Sequence, residues 1–280
     1  MSKLSEYANA LRALKHPIKD FVNMLVSKPP WEYRFADDSV VRLTQRRNIL
    51  VELHAYYFHD AGTREYNLGL NKNPVVLNIS RFDDGSEVFK ELIYSSLPVW
   101  DRIVVDIGAN IGDSPIYFKV MGARQVFGYE PNKGIYDLAL KNVKLNCAES
   151  IVTIENKAVV GELSYKWPEH KYIEIQPDDF KAEDPRRITL EGLVIEKGID
   201  NGILKIDCEG CEYEVILSSR NEIIRRFSHI QMEYHFGGIV LKERLERIGY
   251  DVKISKSKYT WVLESNILME YGDLYAVRRW

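Results

Sequence analysis

Val104-Val105-Asp106-Ile107-Gly108-Ala109-Asn110-Ile111-Gly112-Asp113 constrains the fold of this chain more than any other stretch. An apolar run carries a carboxylate near its end, gives way to a turn of small residues, and then reads as the start of a helix. An α/β protein presents backbone to a nucleotide-like ligand in this way, at the carboxyl end of a strand. A second apolar run, Gln125-Val126-Phe127-Gly128-Tyr129, leads into Glu130. An acid about 20 residues beyond the first turn suits a ribose, because one carboxylate accepts from both hydroxyls of the diol.

The charges in the turn say which nucleotide it suits. A dinucleotide fold carries G-x-G-x-x-G, and counted from Gly108 the later two glycine positions hold Asn110 and Asp113. Asn110 is acceptable, since Asn enters positive φ more readily than most side chains. Asp113 puts negative charge where a pyrophosphate would rest on a helix N-terminus. No Lys or Arg occurs between Ile103 and Phe118, and the Gly-Lys-Ser/Thr ending of a P-loop is missing. The turn is acidic and averse to phosphate. S-adenosylmethionine meets both conditions, with an adenosine, no phosphate, and a positive sulfonium and ammonium.

The chain resembles the FkbM-like branch of the class I, S-adenosylmethionine-dependent methyltransferases. Asp106 to Asp113 carries the resemblance first, followed by Tyr129-Glu130-Pro131-Asn132, Asn142 and Asn146. Leu204-Lys205-Ile206-Asp207-Cys208-Glu209-Gly210-Cys211-Glu212 and Gln231-Met232-Glu233-Tyr234-His235 complete it. It runs from Asp83 to the C-terminus, and its specific part is the first motif combined with K-I-D-x-E-G-x-E. Two cysteines stand at variable positions where small apolar residues are expected. The resemblance implies a doubly wound, mostly parallel, seven-stranded Rossmann-like sheet with its final strand inserted antiparallel. It implies cofactor contacts at Asp106, Gly108, Ala109, Asn110, Gly112, Asp113, Glu130, Pro131 and Asn132. Lys157 and Ala158 would frame the adenine, although Lys157 reads equally well as a surface lysine. Members of the resembled family are associated with O-methylation of small molecules, including polyketide and sugar hydroxyls.

Hydrophobic periodicity fits this architecture. From Ile103 onward strands and helices alternate, the rhythm of a parallel sheet. Strands are predicted at Ile103–Ile107, Gln125–Glu130, Ile151–Asn156, Ile203–Asp207 and Ile230–Tyr234. Helices are predicted at Glu87–Leu97, Gly112–Val120, Lys133–Leu145, Cys211–Ser218 and Val240–Ile248. Further strands are expected near Asp251–Ser255 and Leu274–Val277. Residues 1–82 read as a small α+β extension and 83–280 as the methyltransferase domain. The extension has apolar residues at helical spacing over Leu4–Val26, a hairpin pattern in Trp31–Phe35 and Val40–Leu43, and a helical pattern over Ile49–His59. An insertion, Tyr165–Arg187, brings Tyr165, Trp167, Tyr172 and Phe180, which could stack on an acceptor or fill core.

Chemistry is expected at Asp207 and Glu209 after the fourth core strand, and at Glu233 and His235 after the fifth. Glu233 and His235 are two apart on a strand and share a face. An aliphatic hydroxyl is a weak nucleophile, so methyl transfer to it calls for a base or a metal. His235 is the expected base, oriented by Glu233 or Asp207, because histidine titrates near neutrality. A Mg²⁺ or Mn²⁺ among Asp207, Glu209, Glu233 and His235 is the less favoured alternative. Cys208-Glu209-Gly210-Cys211 is a C-x-x-C, read here as buried or half-buried thiols ahead of a redox or zinc site.

The chain's net charge of −3 gives no electrostatic footprint for non-specific nucleic-acid binding. The resemblance implies a small-molecule or glycan acceptor as the partner, with an RNA or tRNA methyltransferase or a non-catalytic donor-binding protein as alternatives. No apolar run is long enough to span a bilayer. A charged N-terminus and three cysteines make a cytoplasmic setting the expectation. Oligomeric state is not legible.

Overall fold

A computed structural model describes residues 19, 31–34, 40–43, 63–68, 74–78, 85–161, 186–262 and 267–279. The chain divides into two compact units, Met1–Arg64 with Asn78–Asp84, and Glu65–Leu77 with Gly85–Trp280. In the first unit β1 (Trp31–Arg34) pairs antiparallel with β2 (Val40–Leu43), Trp31 opposite Leu43. This is the hairpin that the alternation predicts. The helical patterns at Leu4–Val26 and Ile49–His59, and the aromatics Tyr165, Trp167, Tyr172 and Phe180, lie outside the described residues. β3 (Thr63–Tyr66) and β4 (Val75–Asn78) form a separate two-stranded sheet.

The main stretch of the second unit opens with α1 (Ser86–Phe89), much shorter than the predicted Glu87–Leu97 helix. Leu92 takes φ +54°, which a continuing helix does not allow. Tyr94, Leu97 and Val99 then pack into the core from turns. The alternation follows as β5 (Ile103–Ile107), α2 (Asp113–Val120), β6 (Gln125–Tyr129), α3 (Lys133–Leu145) and β7 (Val152–Glu155). A side pair, β8 (Ala158–Val160) with β9 (Arg187–Thr189), leads into α4 (Leu190–Glu196). The remainder is β10 (Gly202–Ile206), α5 (Cys211–Ser218), α6 (Asn221–Ile224), β11 (Phe227–Tyr234), α7 (Ile239–Arg247), β12 (Tyr250–Ile254), β13 (Lys258–Val262) and β14 (Ile267–Arg278).

The main sheet runs β7-β6-β5-β10-β11-β14-β12. Its first five strands are parallel, and β14 is inserted antiparallel between β11 and β12. β13 pairs with the early part of β14, so the sheet has eight strands where seven are expected. Both faces of the central strands are covered. Val104 and Val105 are fully buried, and every residue of β10 is buried. A long apolar run suits a parallel strand of this kind.

Local chemistry sets the helix ends that matter to the site. Asn132 caps α3, its Oδ1 accepting from Gly134 N at 3.0 Å and Ile135 N at 3.2 Å. Gly112 starts α2 at φ +85°, and Asp113 places its charge in the positive first turn. The chain leaves β5 toward β6 on one side and leaves β10 toward β11 on the other. The crevice between β5 and β10 is thus the switch point of the sheet, where such folds bind ligands.

Candidate active site

The turn after β5 is built to a tight tolerance. Gly108 N and Ala109 N both donate to Tyr129 O at 3.0 Å, and Gly112 N closes on Ala109 O at 2.8 Å. Gly108 sits at φ +79°, and a Cβ there would lie 1.7 Å from Asp207 O. Only glycine fits where the two crevice turns touch. Asn110 takes φ +44°, as its sequence position anticipates.

Glu130 is buried at the end of β6, with one oxygen taken up by each side of the turn. Asn110 N donates to Oε2 at 3.1 Å and Asn132 N donates to Oε1 at 2.8 Å. Burial raises the carboxyl above its usual range, and the two backbone donors pull it back. A carboxylate oxygen has two lone pairs, so each keeps one for a diol. Asn156 fixes the same corner, its Nδ2 donating to Glu130 O and Pro131 O, both at 2.9 Å. The structure therefore brings Gly108, Ala109, Asn110, Gly112, Glu130, Pro131 and Asn132 to one corner of the crevice.

The other four expected contacts, Asp106, Asp113, Lys157 and Ala158, sit apart from that corner's backbone donors. Asp106 is fully buried. Its Oδ1 is 2.9 Å from Lys205 Nζ, and its Oδ2 accepts from Ser114 Oγ at 2.7 Å. Asp106 thus anchors the turn from behind, because a buried carboxylate takes a cation and a hydroxyl in place of water. Asp113 is buried in the first turn of α2. Lys157 pairs with Glu155 Oε2 at 2.7 Å, the surface-lysine reading, while Ala158 N donates to Arg186 O at 2.8 Å within the side pair.

Lys205, a charge in the middle of a buried strand, is explained by the same corner. Its Nζ also donates to Gly108 O at 2.6 Å and lies 5.7 Å from the centre of the Tyr94 ring. Burial works against the ammonium, yet Asp106 and Asp207 outweigh it and hold Lys205 above the usual lysine value. Burial, then the charges of Asp207, Asp106, Asp113 and Glu233, keeps the Tyr94 hydroxyl well above its ordinary pKa. Tyr94 is a crevice residue hidden in the sequence by an apparent helix.

The second group lies at the ends of β10 and β11. Asp207, Glu233 and His235 each offer one possible ligand atom, these atoms lying within 4.8 Å of one another. His235 Nδ1 is 3.0 Å from Glu212 Oε1, and His235 N donates to that oxygen at 3.1 Å. Glu212 Oε2 accepts from Gly210 N at 2.9 Å. Fully buried Glu212 therefore ties the turn after β10 to the end of β11. In the sequence it reads only as an acid in the first turn of a helix. His235 Nε2 looks outward, 3.3 Å from Glu209 Oε2 and 3.8 Å from Glu233 Oε2.

Electrostatics here revise the expected role of His235. Burial disfavours the imidazolium, but Glu212, Glu209 and Asp207 outweigh it and lift the pKa to about 9. Surrounded by carboxylates, His235 keeps its proton at neutral pH and is not a free base. Burial and then Asp207 push the Glu233 carboxyl up to about 7.

The cysteines also depart from expectation. Cys208 and Cys211 form a disulfide, where free thiols are expected. Glu209 at φ +55° and Gly210 at φ +117° fold the turn so that the two Cα atoms lie 5.5 Å apart, within bridging range. Cys147 is free and exposed. Among the described residues no helix is long and apolar enough to cross a membrane.

Sheet order, the glycine turn and the buried acid after β6 together define a Rossmann-like fold. The methyltransferase FkbM domain matches residues 106–248, more than half of the chain, and the chain belongs to that family. It is 27% identical over 124 residues to the uncharacterized protein 158B of Sulfolobus islandicus rod-shaped virus 1, an alignment covering 44% of this chain. The chain spans 56% of that viral protein's length. It is similar to precorrin-6y C5,15-methyltransferase from Geobacter metallireducens GS-15, at 16% identity and TM-score 0.41, over 76% of this chain and 92% of that one. Ribosomal protein L11 methylase from Lactobacillus delbrueckii subsp. bulgaricus is similar at 12% identity and TM-score 0.41, over 68% and 76%. Likeness this remote says nothing about the acceptor.

Proposed function

We propose that this methyltransferase moves a methyl group from S-adenosylmethionine to a hydroxyl of a small molecule or glycan. The supporting observation is Glu130, whose two oxygens are each aimed by a backbone N–H of the crevice and each retain a lone pair for a ribose hydroxyl. Lys205, the buried ammonium at the corner, is committed to Asp106 and Gly108 O and not to a phosphate. When bound, S-adenosylmethionine supplies a methyl on a sulfonium, open to in-line displacement.

The chain's own residues do the rest. Glu130 holds the ribose, while Asn132 and Asn156 keep the Glu130–Pro131 corner rigid. Asp207 and Glu233 set negative charge beside the donor's positive end. An acceptor has room in an open groove of about 390 Å³ whose lining includes Ser96, Gln231, Lys253, Ser255, Asp273 and Tyr275. Asp273 is the register partner of Glu233, so the groove runs up to the acidic cluster. Its lining is mainly apolar with a few polar side chains among them, a mixture that suits a small hydroxylated molecule. The hydroxyl proton passes to a carboxylate of that cluster as the oxygen takes the methyl.

The test incubates the full chain with methyl-labelled S-adenosylmethionine and separate pools of hydroxylated small molecules, oligosaccharides and RNA. Label on an oxygen of the first or second pool is expected. Label on RNA alone favours a nucleic-acid enzyme, and bound donor with no transfer to any pool favours a non-catalytic protein. Either result overturns the proposal.

A further inference from the structure

We propose that Asp207, Glu233 and His235 form a binding site for a divalent cation of the Mg²⁺ or Mn²⁺ type, at the ends of β10 and β11. The proposal deepens the methyl-transfer reading and rests on it for its chemistry.

Three observations carry it. The first is geometric, since one donor atom from each residue lies within 4.8 Å of the other two. Around an octahedral ion with bonds of about 2.1 Å, adjacent donors stand about 3 Å apart and opposite ones about 4.2 Å. The side chains need to close by about 2 Å at most, a shift that side-chain rotation provides.

A second observation is the support behind the histidine. His235 is almost wholly buried, and Glu212 holds its Nδ1 at 3.0 Å from below. That leaves Nε2 facing the carboxylates, 3.3 Å from Glu209 Oε2 and 3.8 Å from Glu233 Oε2. Metal-bound histidines are oriented in this way, with the distal ring nitrogen bound to a carboxylate that fixes tautomer and angle. Glu212 is itself fixed by Gly210 N at 2.9 Å, so the support belongs to the fold.

The third is charge and donor type. Asp207, Glu209, Glu212 and Glu233 gather around one imidazole, with Asp273 beside Glu233 in the next strand. Lys205 is turned away to Asp106. Crowded carboxylates repel one another unless a cation sits among them. Two carboxylate oxygens with one imidazole nitrogen suit Mn²⁺ or Mg²⁺ and leave positions open for water or an acceptor oxygen. In that place an ion would polarise the acceptor hydroxyl.

The probe is Mn²⁺ alone, titrated into the full chain and followed by the electron paramagnetic resonance signal of the free aquo ion. One Mn²⁺ per chain is expected to leave the free pool. Glu233→Gln and His235→Gln should each weaken uptake by about tenfold or more, the loss of one ligand's worth of binding. Glu246→Gln, an exposed acid on α7, should not change it. Circular dichroism melts of the same variants separate a lost ligand from a lost fold. Uptake unchanged in both ligand variants, or no uptake by the wild-type chain, overturns the cation site. Calorimetry with S-adenosylmethionine on the same samples separates the two readings. Donor binding without Mn²⁺ uptake overturns only the cation, and Mn²⁺ uptake without donor binding overturns only the methyl-transfer reading.

Discussion

Lys205→Met is expected to destabilise the fold by about 3–5 kcal/mol, the cost of leaving one partner of a buried ion pair uncompensated. Both side chains are almost fully enclosed, Lys205 at 3% and Asp106 at 0% exposure. Methionine fills much of the lysine stem's volume, so the loss reports the charge and not a cavity. Gly108 O loses its donor in the same variant, which loosens the cofactor turn. Urea unfolding reads the effect as a lower midpoint with an unchanged slope. The double variant Asp106→Asn, Lys205→Met should recover much of the loss, since no buried charge is then left alone. A Lys205→Met midpoint equal to that of the wild type would show that Asp106 and Lys205 do not depend on one another.

Glu233→Gln carries the second large effect, on turnover. The substitution keeps the shape of the side chain and removes its charge. Without that carboxylate the acceptor proton has a poorer destination, so kcat should fall about 10²–10⁴-fold, the range for a positioned acid–base group. S-adenosylmethionine affinity should fall far less than kcat, because Glu130 and the glycine turn, which hold the adenosine end, lie on other strands. Steady-state kinetics with the acceptor found in the labelling screen would measure both. Equal turnover in variant and wild type would place the chemistry elsewhere in the crevice.

Much of this architecture is legible in the sequence for local reasons. The apolar runs before Gly108, Glu130 and Asp207 end in small or acidic residues, which marks both the strand and the turn after it. Asn132 announces the start of α3 by its capping chemistry. What escapes the sequence depends on pairing over distance. Lys205 looks misplaced in a buried strand until β10 lies beside β5 and meets Asp106. Glu212 reads as a helix-start acid because its partner, His235, is on another strand. The Cys208–Cys211 bridge needs two residues at positive φ, and spacing alone does not reveal them. Tyr94 has helical spacing in the sequence, while Leu92 at positive φ ends the helix before it. β13 is a partner strand to β14 at the margin of the sheet, with Lys258 and Tyr259 exposed, and gives only a weak apolar signal.

The central claim concerns what the crevice between β5 and β10 accepts. Isothermal calorimetry of the full chain against S-adenosylmethionine, NADH and ATP addresses it most directly. One molecule of S-adenosylmethionine per chain is the expected result, with no heat from NADH or ATP. Glu130→Ala should weaken that binding about tenfold or more, through loss of two charge-assisted hydrogen bonds to the ribose. Saturable binding of NADH or ATP, with none of S-adenosylmethionine, would contradict it.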